Sequence, residues 1–303
     1  MSRGSTPKFF CFGLGFSGVR VARRLRERGW PVGGSVRTEE KAERLRAEGI
    51  DAIVFTGDGL KPASDALVAA VAGADIVLQS AAPLESGDPA LLAFADAPGG
   101  GNGIWAGKTW IGYLSTIGVY GDRKGEWTDE TVPIAARSVR AKRRAAAEAA
   151  WTEAGRAAGV PVHIFRLPGI YGPGRSAIDQ VEAGTARRII KPNQVFNRIH
   201  VDDLADAVVA SIDRPGIGPV FNLCDDEPSP SEQVIAEACR LLGVPIPEAV
   251  AFDDADMSPM ARDFYSENKR ISNARMKNLL DVTLAYPTYR EGLRAILDER
   301  RKD

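Results

Sequence analysis

Gly13-Leu14-Gly15-Phe16-Ser17-Gly18 is spaced Gly-x-Gly-x-x-Gly. Each glycine in that spacing has its own physical task. Gly13 permits a tight turn, Gly15 lets backbone come close to a pyrophosphate, and Gly18 allows a helix to pack against the strand before it. With Phe16 and Ser17, these residues would open a helix whose N-terminus favours an anion. The bland alternative is a Gly-rich strand–helix turn that binds nothing. Arg37 and Thr38 follow the next apolar run, Arg37 standing 19 residues after Gly18. A site that holds a ribose 2′-hydroxyl carries an acid there. A guanidinium and a hydroxyl suit a 2′-phosphate instead, so the pattern favours NADP(H), with NAD(H) possible. The competing reading of Arg37 is a solvated charge near Glu39 and Glu40.

Such residues need a scaffold that brings strand ends to one edge. Residues 9–12 form a short apolar run before the glycines. Val19, Val21, Ala22 and Leu25 then mark one face of a helix that Gly29 ends. Strands are expected at 32–36, 50–55, 75–79, 110–114, 161–167 and 220–223. Helices are expected at 66–72, 136–158, 202–212, 229–242 and 289–301. Residues 98–103, Pro-Gly-Gly-Gly-Asn-Gly, read as a flexible loop, and 245–256, with two prolines and four acids, as a surface connection. Alternating strands and helices imply an α/β fold, a doubly wound parallel sheet covered on both faces. Ligands of such sheets bind at the carboxyl ends of the strands.

Composition narrows the partners. The 303 residues suit about two domains. Lys and Arg number 39 against 40 Asp and Glu, a net charge of −1. Nucleic acid and anionic membrane are thereby disfavoured. Three scattered cysteines, Cys11, Cys224 and Cys239, argue against a disulfide framework or zinc site and fit a reducing cytoplasm. No apolar run reaches membrane-spanning length, and residues 9–12 are too few for a signal sequence. The acidic loop of Glu126, Asp129 and Glu130 has no metal-ligand pattern, so no metal is expected.

Several segments together resemble the extended short-chain dehydrogenase/reductase family, its NAD-dependent epimerase/dehydratase group. Beyond the glycine motif these are Gln79-Ser80-Ala81-Ala82-Pro83, the segment from Leu114 through Thr116, Val119 and Tyr120 to Gly121, and Phe165-Arg166-Leu167-Pro168-Gly169-Ile170-Tyr171 with Arg175. Arg198-Ile199-His200-Val201-Asp202-Asp203 completes the set. Val119-Tyr120-Gly121-Asp122 followed by Gly125-Glu126-Trp127 and Asp129-Glu130 resembles an atypical YeeZ-type group within it. The resemblance implies a Rossmann-like domain over 1–170, with parts of 200–225 returning to it. A smaller substrate-side lobe would span 171–303. It implies an oxidoreductase or epimerase/dehydratase-like protein acting on a nucleotide-sugar-like or other anionic small molecule, and a homodimer as one option.

Residue by residue, Thr116 matches the family's catalytic hydroxyl, its alternative being a β-branched strand end, and Ser115 beside it is assigned to substrate. The family's Tyr-x-x-x-Lys is missing. Arg140 falls in the tyrosine slot and Arg144 in the lysine slot, four residues apart on one face. Arginine stays protonated and cannot shuttle a proton, but it can clamp an anion or a ribose. Tyr120 is either a substitute acid/base or a packing residue. Its Tyr-x-x-x-Lys spacing to Lys124 lies in a Gly/Asp-rich loop. Asp58 is either an adenine contact or a turn aspartate. Ser80, Ala81 and Ala82 would let a dinucleotide lie on backbone, and Pro168, Gly169 and Ile170 would border the nicotinamide. Tyr171 and Arg175 would start the substrate loop. Arg198 and His200 would meet substrate phosphates, although a histidine before an apolar helix is commonly structural. His163, inside a strand, reads as core. The absent tyrosine also supports an alternative, a non-catalytic NADP(H)-binding sensor.

Overall fold

The computed structural model describes residues 6–58, 62–95 and 103–301. In chain order the elements are β1 (Phe9–Phe12), α1 (Phe16–Glu27), β2 (Val32–Val36), α2 (Glu39–Ala47), β3 (Asp51–Val54), α3 (Asp65–Ala72), β4 (Ile76–Gln79), α4 (Pro89–Ala93) and β5 (Trp110–Thr116). There follow β6 (Trp127–Thr128), α5 (Val139–Ala158), β7 (Val162–Leu167), β8 (Gly169–Tyr171), α6 (Ala177–Glu182), β9 (Arg188–Ile190), β10 (Arg198–His200), α7 (Val201–Ile212) and β11 (Val220–Asn222). The chain closes with α8 (Ser231–Leu242), β12 (Ala249–Ala251), α9 (Pro259–Tyr265), β13 (Arg270–Ile271), α10 (Ala274–Leu280) and α11 (Tyr289–Arg300). They fall into two compact units. The first comprises Met1–Thr116, Val139–Arg166 and Ala205–Phe221; the second comprises Ile117–Ser138, Leu167–Leu204 and Asn222–Asp303.

The first unit is built on a seven-stranded sheet in the order β11-β7-β5-β4-β1-β2-β3. β1 pairs in parallel with β2 and β4, and β2–β3 and β4–β5 are parallel too. The order reverses at β1, between β4 and β2, which is where open α/β sheets bind ligands. β1, β2 and β4 are buried along their whole length, as a sheet covered on both faces requires. Helix α1 turns Val21, Ala22 and Leu25 inward, the stripe its sequence spacing predicts. One face packs around aromatic rings. Phe12 meets Phe94 edge-on at 6.1 Å, and Trp105 meets Trp151 at 4.9 Å.

The second unit contains three short parallel pairs, β8–β10, β9–β12 and β6–β13. Its core joins Ile178 of α6, Val234, Ile235 and Ala238 of α8, and Tyr289 and Leu293 of α11. Ser176 and Thr288 close capping boxes at the starts of α6 and α11, which satisfies amides that would otherwise lack partners.

Three expectations need correction. The long helix starts at Val139, not at residue 136. Strand β5 runs on to Thr116, beyond the expected end at 114. The stretch 245–256 is not a plain surface connection. It holds strand β12, and its Ala255 is 3% exposed within a small core with Ile189 and Tyr265. Of the expected loop 98–103, all but Gly103 lies outside the described residues.

Candidate functional site

In the first unit the glycine turn joins β1 to α1. Gly13 has φ +82°, and a Cβ there would sit 3.0 Å from the amide nitrogen of Ala81. At Gly18 a Cβ would fall 2.7 Å from both the Cys11 sulfur and the Gly13 carbonyl oxygen. Both positions therefore exclude a side chain because of the protein's own atoms. Gly15 differs. Its φ is −85°, and the first atom a Cβ would approach outside its chain neighbours is 3.9 Å away. Among the described residues, chain neighbours aside, no other atom comes within 4 Å of that position. Gly15 also caps α1 with no side chain, and the first turn of α1 holds no acid. An open backbone cradle before a helix N-terminus fits a dinucleotide pyrophosphate.

The neighbouring strand ends complete the edge. The amides of Ser80 and Ala81 both donate to the Phe12 carbonyl, at 2.9 and 3.1 Å, so the turn after β4 is stitched to the end of β1. Ala82, next in the chain, is exposed. Gln79, fully buried, supports this turn. Its Oε1 accepts from Ala81 N–H at 3.1 Å, and its Nε2 donates to Asp88 at 2.6 Å. Arg37 and Thr38, past the end of β2, are exposed. The Thr38 hydroxyl caps α2 by accepting from the Lys41 amide. Asp58 accepts from the Thr56 hydroxyl at 2.9 Å, the geometry of a turn aspartate.

Strand β5 and helix α5 meet through a buried polar chain. The Ser115 hydroxyl donates to Glu148 at 2.5 Å, and Arg166 holds the same carboxylate through Nε and Nη2, the latter at 2.8 Å. Ser115 is thus committed to the interior, 5% exposed, rather than presented to a ligand. Thr116, one residue on, is half-buried at the strand end. Arg144 donates to the Leu114 carbonyl at 2.6 Å and to the Tyr113 hydroxyl at 3.3 Å. Burial pushes the Tyr113 hydroxyl up to about 12, against the pull of the Arg144 cation. Arg140, one turn earlier on α5, is exposed. Sequence reasoning put Arg144 in the lysine slot but missed its bond to β5.

His163 is core. Trp110 Nε1–H donates to its Nδ1 at 3.0 Å, and its Nε2 faces the Pro215 carbonyl at 3.2 Å. Those partners select the neutral tautomer with the proton on Nε2, and burial pushes the ring down to about 4.

In the second unit Tyr120 is fully buried, and its hydroxyl donates to Asn222 at 2.8 Å. Of the two readings of Tyr120, this geometry is that of a packed structural residue. Lys124 lies in a loop, exposed, with φ 53°. Gly169 is exposed, Pro168 and Ile170 are half-buried, and the Gly169 amide donates to Asn197. Tyr171 is buried, edge-on to His200 at 5.2 Å and pressed against Gly292 of α11. His200 is 2% exposed; its Nδ1 accepts from the Asp202 amide at 3.2 Å. Arg175 is exposed, in a tight turn closed by two backbone bonds with Gly172. Arg198 donates to the carbonyls of Phe196 and Ser229. Asp225, which the sequence reading missed, is 2% exposed, and burial pushes its carboxyl up to about 8 despite the Arg198 cation nearby. Nothing in its sequence neighbourhood marks it, since Asp226 and Glu227 beside it are ordinary acids by type.

The NAD-dependent epimerase/dehydratase family model matches residues 106–224. A solved structure of a functionally unknown conserved protein from Silicibacter pomeroyi is 44% identical, covers 97% of this chain and 99% of its own, and has a TM-score of 0.85. The chain belongs to the NAD-dependent epimerase/dehydratase family. It is also similar to protein YeeZ of Escherichia coli K12, at 27% identity over 91% of this chain and 94% of YeeZ. A putative NAD-dependent epimerase/dehydratase from Methylobacillus flagellatus shares the fold at 24% identity, TM-score 0.68, with 98% and 100% coverage. Membership accounts for the nicotinamide-dinucleotide fold. No helix among the described residues is long and apolar enough to cross a membrane.

Proposed function

We propose that this chain is an NADP(H)-binding oxidoreductase or epimerase/dehydratase-like enzyme acting on an anionic small molecule. The observation that carries the reading is the space over Gly15, where among the described residues, chain neighbours aside, only the Gly13 carbonyl oxygen, at 3.9 Å, comes within 4 Å of a Cβ position. Gly13, Gly15, Phe16, Ser17 and Gly18 would hold the pyrophosphate, and Ser80, Ala81 and Ala82 the adjoining backbone edge. Arg37 and Thr38 stand where a 2′-phosphate would be read. The nicotinamide, when bound, supplies hydride exchange. The Thr116 hydroxyl would donate to a substrate oxygen as its charge changes. Arg144, tied to Leu114, holds α5 against the end of β5 and keeps a positive charge beside it.

Titration of the cofactor-free protein with NADPH and NADH tests this. The wild type is expected to prefer NADPH. Arg37→Ala should lose about tenfold to a hundredfold of NADPH affinity, the worth of a charge-assisted hydrogen bond, and leave NADH unchanged. Equal loss for both nucleotides would remove Arg37 from the ribose site.

A second reading draws on a specific observation. The two groups nearest to an acid/base role are an arginine at 140 and a Tyr120 hydroxyl already bonded to Asn222. A non-catalytic NADP(H) sensor accounts for both. It is supported if NADPH binds but is not consumed across a panel of carbonyl compounds and nucleotide sugars, while its binding alters oligomeric state.

A further inference from the structure

The glycine turn has a seat in the strand beside it. Strand β2 reads Val32-Gly33-Gly34-Ser35-Val36 and is buried throughout. A serine in such a strand costs stability unless its hydroxyl is bonded. Ser35, 3% exposed, accepts through Oγ from the Gly13 amide at 2.9 Å. Its carbonyl accepts from the Leu14 amide at 2.7 Å. At Gly34 a Cβ would lie 2.4 Å from the Cys11 carbonyl oxygen and 2.7 Å from Leu14 Cγ. The Leu14 side chain, 1% exposed, therefore occupies the volume that a side chain on β2 would take. The Gly15 amide donates to Gly13 at 2.6 Å. All three amides of the turn are bonded inside the protein, so its shape is set without a ligand.

We propose that Ser35 is a positioning residue for dinucleotide binding, fixing the Gly13 turn from β2, with Gly34 making room for Leu14. This rests on the proposed NADP(H) reading and deepens it. Arg37 stands two residues after Ser35, just past the end of the strand that seats the pyrophosphate turn. One element thus sets the turn and the group that would read the ribose.

The experiment compares wild type, Ser35→Ala and a control, Leu45→Ala, a buried α2 residue of the same unit. Ser35→Ala leaves a turn amide without its acceptor and is expected to weaken NADPH and NADH by the same factor, about tenfold. The preference between them stays unchanged, because Arg37 is intact. Leu45→Ala should lower the unfolding temperature and leave both affinities alone, which separates positioning from general stability. Equal affinity of Ser35→Ala and wild type would overturn the proposal. Amide hydrogen exchange in the wild type provides a test that needs no variant. The Gly13 amide should exchange as slowly as those of β1, and rapid exchange there also overturns the seat. If the wild type binds neither nucleotide, the NADP(H) reading fails, and the exchange at Gly13 still decides whether the seat exists.

Discussion

Gly15 and Gly18 look alike in the sequence but are glycines for opposite reasons. At Gly18 the excluded volume belongs to Cys11 and Gly13, so the constraint is internal. At Gly15 the volume is open and the backbone dihedral is one that any residue adopts. Gly15→Ala is therefore expected to fold normally, with an unfolding temperature within a few degrees of wild type, yet to lose NADPH affinity by tenfold or more because the methyl group enters the cradle. A thermal melt beside a fluorescence titration checks this. Gly18→Ala, by contrast, should lower the melting temperature, since overpacking a tight contact costs about 1–3 kcal/mol. If both variants bind NADPH as wild type does, the cradle has no ligand.

Among the elements, β5 and α5 are the pair on which the site depends. Glu148 of α5 gathers Ser115 of β5 and Arg166 of β7 in the interior, the Arg166 and Glu148 side chains being 6% and 7% exposed. A buried pair contributes little net stability when intact, but loss of one partner leaves a buried charge and costs about 3–5 kcal/mol. Glu148→Ala is expected to lower the denaturant midpoint strongly, and Ser115→Ala much less. Similar midpoints for the two would mean that the carboxylate is not the hub. This network was hard to read in the sequence. Glu148 lies in an Ala- and Arg-rich helix, and only tertiary packing turns this one charge inward. The seven strands of the main sheet and the glycine turn were legible because apolar runs and glycine spacing are local signals, whereas the short strands β6, β8, β9, β10, β12 and β13 were not. Ser35 was not, since its partner Gly13 is 22 residues away. Thr116 was placed by its motif. Ser115, beside it, was given to substrate by the same motif, and the structure turns its hydroxyl the other way.

Across the molecule, the two units bury different titratable groups, and these respond to pH with opposite signs. His163 of the first unit stays neutral in the folded chain down to about 4. The unfolded chain takes up that proton below about 6.5, so the contribution is lost as pH falls from 6.5 towards 4. Asp225 of the second unit holds its proton up to about 8, whereas an unfolded aspartate releases it near 3.9. Its contribution is lost as pH rises from about 4 to about 8. Between pH 6.5 and 8, then, Asp225 makes stability fall with rising pH by up to about 1.4 kcal/mol per unit. Asp225→Asn should flatten that slope in a pH series of denaturant midpoints, and an unaltered slope would place the ionisation elsewhere.

All three cysteines are free and buried, and burial pushes the Cys11 and Cys224 thiols well above their ordinary range. The thiolate is the reactive form, so a maleimide dye should find almost nothing to couple to in the folded chain. Cys11 gives this a particular use. Its sulfur lies 2.7 Å from where a Cβ on Gly18 would stand, so lifting the start of α1 from β1 would open it to a reagent. The labelling rate of Cys11 is thus a clock for that local opening. An occupant resting on the glycine turn would slow the clock without touching the sulfur, so occupancy becomes countable by mass, one adduct at a time.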